Sequence, residues 1–385
     1  MRLLIAAGGT GGHIYPALAV ATSLRRRPGR PDLAWVGGRR GLEDRLVPPA
    51  GLPLRLLLLR SLRSVQRDIH LVLDPLRLAL SVPQALWLLA RRRPAAVFTT
   101  GGYVAIPVLF AARLLGIPTL LWEGNVIPGR SVRATARLAS ALAVSFEATC
   151  AALPGGRCFV TGTPIRDVSS IDRTGARARL GVGDGDRLVV VFGGSQAVRR
   201  LNDAVAGAMP SLAEKAVVIH VAGADGIASA EAGQRDLPEA IRDRYRPAAF
   251  LGEELLDALA AADLIVGRAG SSTLAEATAF GVPMVVVPYP YAGAHQRANA
   301  AALADAGAAE LVEDEAFDAA ALLRAVELLD DRDRREAMRA AARGEGRPGS
   351  ADAVAELLLA LAERRPLPDP ATVARIAGAP MKASA

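Results

Sequence analysis

The segment AAGGTGGHIYPALAVA (residues 6–21) follows the apolar run Leu3-Leu4-Ile5 and sets four glycines, a threonine and a histidine ahead of an apolar helical pattern. A strand, a glycine-rich turn and a helix in that order begin a parallel sheet with crossover helices. The segment RLVVVFGGSQAVRRLNDAV (187–205) repeats the same logic. Between and beyond these two starts, short apolar runs alternate with alanine- and leucine-rich helical stretches. Strands are expected near 2–7, 32–36, 95–100, 117–121 and 141–145, then near 187–192, 216–221, 263–267 and 283–287. The chain has 385 residues, more than one hydrophobic core usually serves, so two doubly wound α/β domains are expected, joined near VTGTPIRDV (160–168). After Arg347-Pro348-Gly349, Ser350 is placed to cap a final helix, and the proline- and alanine-rich tail from Pro366 reads as disordered.

Composition narrows the chemistry. The net charge is +7, but the basic residues are nearly all arginines scattered along the chain, with lysine only at Lys215 and Lys382. That scarcity argues against Schiff-base chemistry and leaves no lysine for a Walker phosphate loop. Aromatic residues make up 4%, few platforms for stacking bases, and nothing matches a nucleic-acid recognition module. No GxGxxG follows the first strand, which sets a dehydrogenase aside. Cys150 and Cys158 are too far apart for a CxxC pair and have no neighbouring histidine, so neither zinc nor a redox dithiol is expected and a reducing compartment is inferred. The start MRLLIAAGG breaks at glycine too early for a signal-peptide core.

A glycine turn between a strand's carboxyl end and a helix's amino end lets backbone approach a ligand, and the helix dipole favours negative charge there. Tight packing is the competing explanation. His13 sharpens the first reading, since it stands at the carboxyl edge of a parallel sheet, where open α/β folds keep their ligands. GGSQ (193–196) offers amides and the Ser195 hydroxyl to a diphosphate. GRAGSSTLAEATAFGVPMVVVPYP (267–290) carries hydroxyls at a strand end and Glu276 in the helix that follows, able to accept both protons of a ribose diol or simply to face solvent. His295, Gln296 and Asn299 supply groups suited to sugar hydroxyls.

The segment DPLRLALSVPQALWLLARRRP (74–94) reads as a helix opened by Asp74 and Pro75. His70, Asp74, Arg77, Ser81, Gln84 and Arg91 form one narrow polar stripe, leaving leucines and Trp87 over most of the remaining surface. Its charges argue against a membrane span, and the arginines on either side suit a helix lying on anionic lipid; a buried core helix is the alternative.

Taken together, GGTGGHIYPALAVA, TGGYVAIPVLFAARLLGIPTLLWEGN, VTGTPIR, GGSQAVRRLN and GRAGSSTLAEATAFGVPMVVVPYP followed by HQRANA resemble, in order, the MurG family of peptidoglycan N-acetylglucosaminyltransferases over roughly residues 1–312. The resemblance implies two Rossmann-like doubly wound domains facing across a cleft, the GT-B arrangement. It divides the chain into an acceptor-binding, membrane-associating domain (1–162), a UDP-sugar-binding domain (163–343), a terminal helix packing back on the first domain (344–365) and the tail (366–385). The implied reaction is inverting transfer of N-acetylglucosamine from UDP-N-acetylglucosamine to the C4 hydroxyl of undecaprenyl-diphosphoryl-N-acetylmuramoyl-pentapeptide. The implied place is the cytoplasmic face of the cell membrane, as a peripheral protein beside the cell-wall synthesis machinery.

Residue by residue, the resemblance gives the donor Arg166, Ser195, Gln196, Leu251, Ser272, Thr273, Glu276, His295 and Gln296, with Asn299 in support. It gives the acceptor Thr10, Gly11, Gly12, Tyr103 and Asn202, and the chemistry His13, Glu123 and Asn125, with His13 as general base. A histidine of ordinary pKa is mostly free base at neutral pH, as an inverting transfer needs. No DxD-like acidic pair accompanies the nucleotide motifs, so arginine and helix amino ends are expected to stabilise the leaving diphosphate, with no cofactor or essential metal. Trp122, Gly124 and Thr163 depart from the family's usual histidine, glutamine and asparagine. A GT-B-fold 2-epimerase or a transferase with a soluble acceptor is the alternative. A binding protein that kept the fold without turnover is a further one.

Overall fold

The structure is a computed structural model and describes residues 1–39, 41–60, 70–154, 157–193, 199–291 and 294–378. The chain divides into two compact units, Met1–Arg166 together with the chain from Gly349 onward, and Asp167–Pro348.

In the first unit, β1 (Arg2–Ala6), β2 (Asp32–Arg39), β3 (Leu54–Arg60), β4 (Ala96–Thr99), β5 (Thr119–Glu123), β6 (Ala141–Val144) and β7 (Arg157–Val160) form one parallel sheet in the order β3-β2-β1-β4-β5-β6-β7. Leu3, Leu4, Ile5 and Ala6 are all buried, as a strand covered on both faces requires. The order reverses direction between β1 and β4, so their carboxyl ends flank a topological switch point. The helices α1 (Gly11–Arg26), α2 (Glu43–Leu46), α3 (His70–Arg92) and α4 (Gly102–Leu114) follow β1, β2, β3 and β4.

The second unit repeats the plan with β8 (Leu188–Phe192), β9 (Val217–Val221), β10 (Tyr245–Ala248), β11 (Leu264–Gly267), β12 (Met284–Val286) and β13 (Ala309–Leu311) in the order β10-β9-β8-β11-β12-β13, again parallel. Its switch point lies between β8 and β11.

The carboxyl-terminal stretch differs from expectation in two respects. Ser350 does not cap the helix Ser350–Ala362; Gly349 precedes that helix without a side-chain bond, and Ser350 is buried. That helix packs in the first unit, where Leu357 and Leu358 join the core with Val20 and Leu24, and Ser23 donates a hydrogen bond to Asp352. The expected disorder from Pro366 is corrected as far as residue 378: Asp369 caps a helix Pro370–Ile376, and Val373 and Ala377 enter the same core, while the rest of the expected tail lies outside the described residues. Two well-spaced apolar residues are enough to dock a short helix that composition alone hides.

The cysteines require a further correction. Cys150 on the helix Glu147–Ala152 and Cys158 on β7 form a disulfide, their Cα atoms 5.8 Å apart. The CxxC rule misses a helix that doubles back onto the next strand, and the pair no longer supports a reducing compartment.

Candidate active site

The first unit's site grows from the turn after β1. The amides of His13 and Ile14 both donate to the Thr10 carbonyl at 3.1 Å, which closes the first turn of α1 with Thr10 as its extended N-cap. His13 is thereby carried to the switch point. Its Nδ1 lies 2.7 Å from the Thr100 carbonyl oxygen just beyond β4, and the Thr100 hydroxyl donates back to the His13 carbonyl at 3.0 Å. A carbonyl only accepts, so Nδ1 holds the proton and Nε2 keeps the basic lone pair. Nε2 lies beside Gly102, where a Cβ would be 3.6 Å away and where φ of +71° favours glycine. Burial lowers the His13 pKa from its ordinary value, against opposing contributions from the Thr100 carbonyl, Glu123 and Glu43.

Glu123, buried at the end of β5, holds the next loop: Oε1 accepts from the amide and side-chain nitrogen of Asn125 at 2.9 and 2.8 Å, and Oε2 from the Gly129 amide at 2.8 Å. Its geometry is that of a loop anchor whose charge is felt at His13. Tyr103 opens α4 and lays its ring against Gly38. Gly11 is buried beside the Tyr15 ring and Gly12 is exposed. The departures are accommodated inside the fold: the Trp122 indole donates to the Gly162 carbonyl at 3.1 Å, and the Thr163 hydroxyl pairs with Ser145 at 2.7 Å. Thr10, Gly11, Gly12, His13, Tyr103, Glu123 and Asn125 therefore gather at the carboxyl ends of β1, β4 and β5.

In the second unit, Ser272, Thr273 and Glu276 lie on the helix Ser271–Phe280, which begins four residues beyond β11. The Ser272 hydroxyl is sealed from solvent and has no hydrogen-bond partner among the described residues. His295, Gln296 and Asn299 lie on the helix His295–Asp305 beyond β12. Gln296 accepts from the Tyr289 amide at 2.9 Å, and fully buried Asn299 donates to the Ala269 carbonyl at 3.3 Å, tying this helix to the loop before Ser271. Leu251, past β10, packs on the second unit's core. Ser195 and Gln196 lie outside the described residues. Arg166 is the last residue of the first unit. Asn202 belongs to the second unit, where it meets His220 and the Ala222 carbonyl. Sequence reading passed over Glu43, Thr100 and His220; a glutamate closely following Gly37, Gly38 and Gly41 was the signal within reach.

Two switch points, one carrying a histidine and the other hydroxyls, a glutamate and amides, fit a GT-B-type glycosyltransferase. Residues 3–144 match the glycosyltransferase family 28 N-terminal domain and residues 188–355 its C-terminal domain. A UDP-N-acetylglucosamine--N-acetylmuramyl-(pentapeptide) pyrophosphoryl-undecaprenol N-acetylglucosamine transferase of Desulforudis audaxviator is 39% identical over 94% of this chain and 99% of its own. The one of Moorella thermoacetica is 38% identical over 94% and 100%. The crystal structure of Acinetobacter baumannii MurG superposes with a TM-score of 0.72 at 28% identity, covering 93% of this chain and 99% of that one. The chain belongs to the MurG family of glycosyltransferases. A putative UDP-N-acetylglucosamine 2-epimerase of Listeria monocytogenes reaches a TM-score of 0.68 at 13% identity, so shape alone does not separate the two activities and sequence identity does.

Proposed function

We propose that the chain transfers N-acetylglucosamine from UDP-N-acetylglucosamine to the C4 hydroxyl of undecaprenyl-diphosphoryl-N-acetylmuramoyl-pentapeptide, with inversion. The observation that carries this reading is the His13–Thr100 bond, which leaves Nε2 as a neutral acceptor at the first unit's switch point. Nε2 takes the hydroxyl proton as the oxygen attacks the anomeric carbon, and the bond to UDP breaks with its electron pair on the diphosphate. Glu276 accepts from the ribose diol. Ser195, Gln196, Thr273 and Arg166 meet the diphosphate, helped by the amino end of the helix Ser271–Phe280, inside which the Ser272 hydroxyl is sealed. His295, Gln296 and Leu251 line the donor sugar and base; Asn202, which the resemblance gives to the acceptor, has its side chain held inside the second unit by His220 and the Ala222 carbonyl. On this scheme no metal takes part, so chelation by EDTA leaves turnover unchanged.

The membrane surface is the second element of the proposal. No helix among the described residues is long and apolar enough to cross a membrane. On α3, however, Leu76, Leu80 and Trp87 are 55%, 50% and 62% exposed, and Phe110 and Leu114 on α4 are 46% and 62% exposed. Exposed large apolar side chains of this kind support a reading of these helices as a docking surface. The expected polar stripe does not face outward as a whole: Ser81 is buried and Gln84 bonds the β3 backbone at Leu56 and Leu58. The helix also begins at His70, a turn before Asp74 and Pro75. We take the apolar face, edged by Arg91 over the Trp87 ring, to lie on lipid, and the cytoplasmic face to be the side it meets.

The deciding experiment incubates the purified protein with labelled UDP-N-acetylglucosamine and a short-chain lipid-linked muramoyl-pentapeptide. A disaccharide-lipid product supports the reading. Release of an epimerised sugar nucleotide without acceptor-linked product would establish the 2-epimerase alternative instead.

A further inference from the structure

Glu43 is the first residue of the short helix α2 and is fully buried. A glutamate side chain seldom enters a core without partners for its oxygens. Here Oε1 accepts from two backbone amides, Gly9 at 2.9 Å and Gly38 at 3.0 Å. Gly9 lies past β1 and Gly38 lies near the end of β2, both beyond the bond from the Ala7 amide to the Val36 carbonyl that closes the β1–β2 ladder. The carboxyl group thus continues the join between two neighbouring strands where their own ladder ends. Oε2 is sealed from solvent and has no partner among the described residues.

Three glycines make the room. A Cβ on Gly8, Gly37 or Gly41 would come within 2.0, 2.8 and 1.7 Å of the Glu43 side chain. Real Cβ contacts are never so short, so each of these positions is tied to the presence of this one carboxyl group. Part of the glycine content beside the opening turn therefore serves an internal side chain, with ligand access left to the rest of the turn. The same turn carries His13, and Glu43 from the β2–α2 segment and Glu123 from β5 are the charged groups acting on that imidazole, which the Thr100 carbonyl beyond β4 also faces.

We propose that Glu43 is a positioning residue: by bonding Gly9 and Gly38 it sets the turn Gly8–Gly12 and so fixes where His13 presents Nε2. The inference rests on the reading of His13 as general base, and its test separates the two. Glu43→Gln keeps an oxygen for both amides without the charge; Glu43→Leu removes the acceptor. Three measurements are made on each: UDP-N-acetylglucosamine binding, kcat and KM with the lipid acceptor, and the His13 resonances in protein carrying 13C-labelled histidine, assigned with His13→Ala.

The Leu variant is expected to keep donor affinity, to lose about 100-fold in kcat through misplacement of the base, and to shift the His13 resonances. The Gln variant is expected to recover most of that kcat, within about ten-fold of the parent, and to titrate His13 at lower pH because one of its two carboxylates is gone. If the Leu variant does not fold, Glu43→Asp, whose shorter side chain draws the acceptor away from both amides and keeps the charge, takes its place in the same three measurements. Parental kcat and unshifted His13 resonances in the variants would overturn the inference. Shifted resonances in a protein whose His13→Ala variant still turns over would leave the positioning role standing and remove His13 as base.

Discussion

Asn202 and His220 share a 3.0 Å hydrogen bond whose direction is fixed at both ends. The Asn202 side-chain nitrogen donates to the Ala222 carbonyl at 2.9 Å, so its oxygen faces His220 Nε2, which must carry the proton. Nδ1 then accepts from the Tyr245 hydroxyl at 2.8 Å. Burial pushes His220 down to about 4 and Tyr245 up to about 12, so both stay neutral across the physiological range. His220 binds fewer protons folded than unfolded between its ordinary pKa and about 4. The stability it confers is complete above pH 6.5 and falls as pH falls through that window, by about 3 kcal/mol in all. Trp35, Trp87 and Trp122 all lie in the first unit, so tryptophan fluorescence misses this loss. Hydrogen exchange at β8 and β9 should show it, and His220→Phe should flatten the dependence.

His13→Gln keeps a donor for the Thr100 carbonyl but offers no basic nitrogen. Turnover should fall by about 10² to 10⁴ while UDP-N-acetylglucosamine binding stays as it was. Because burial lowers the His13 pKa, the acid limb of kcat/KM in the unaltered protein should lie below pH 6.5, the ordinary imidazole value. A pH-rate series with both proteins checks this, and an acid limb above that value would contradict the geometry.

Glu276→Ala should weaken donor binding by about ten-fold, the equivalent of one charge-assisted bond to the ribose. Calorimetric titration with UDP measures it without the acceptor. Vesicle attachment should be untouched.

Replacing Trp87 by alanine and Leu80 by serine should lower binding to anionic vesicles by about ten-fold or more, given the apolar area removed. Both side chains are exposed, so unfolding temperature should barely change. Cosedimentation with vesicles reads the first effect and calorimetry the second.

The nine strands expected from sequence are the nine interior strands of the two sheets. The four that escaped, β3, β7, β10 and β13, are the four edges. Interior strands of a parallel sheet are covered on both faces and read as unbroken apolar runs. Edge strands are not: β10 is Tyr-Arg-Pro-Ala and β13 is Ala-Glu-Leu, both mostly half-exposed, and leucine-rich β3 is interrupted by Arg55. The place of His13 at the carboxyl edge of the first sheet was legible because it sits in the glycine turn itself. Glu43, Thr100 and His220 were hidden because each acts on a group far along the chain: 34 residues separate Glu43 from Gly9, and 87 separate His13 from Thr100.

The helices Ser350–Ala362 and Pro370–Ile376 complete a core begun by Leu3 and Ile5. Translation therefore delivers the opening half of that core first and its last pieces at the very end, after every residue of Asp167–Pro348 has emerged. The uninterrupted middle of the chain is free to mature while the first unit waits on the ribosome with Ala17, Val20 and Leu24 uncovered. A stop codon before Ser350 would consequently cripple the unit farthest away in reading order, and leave Asp167–Pro348 whole.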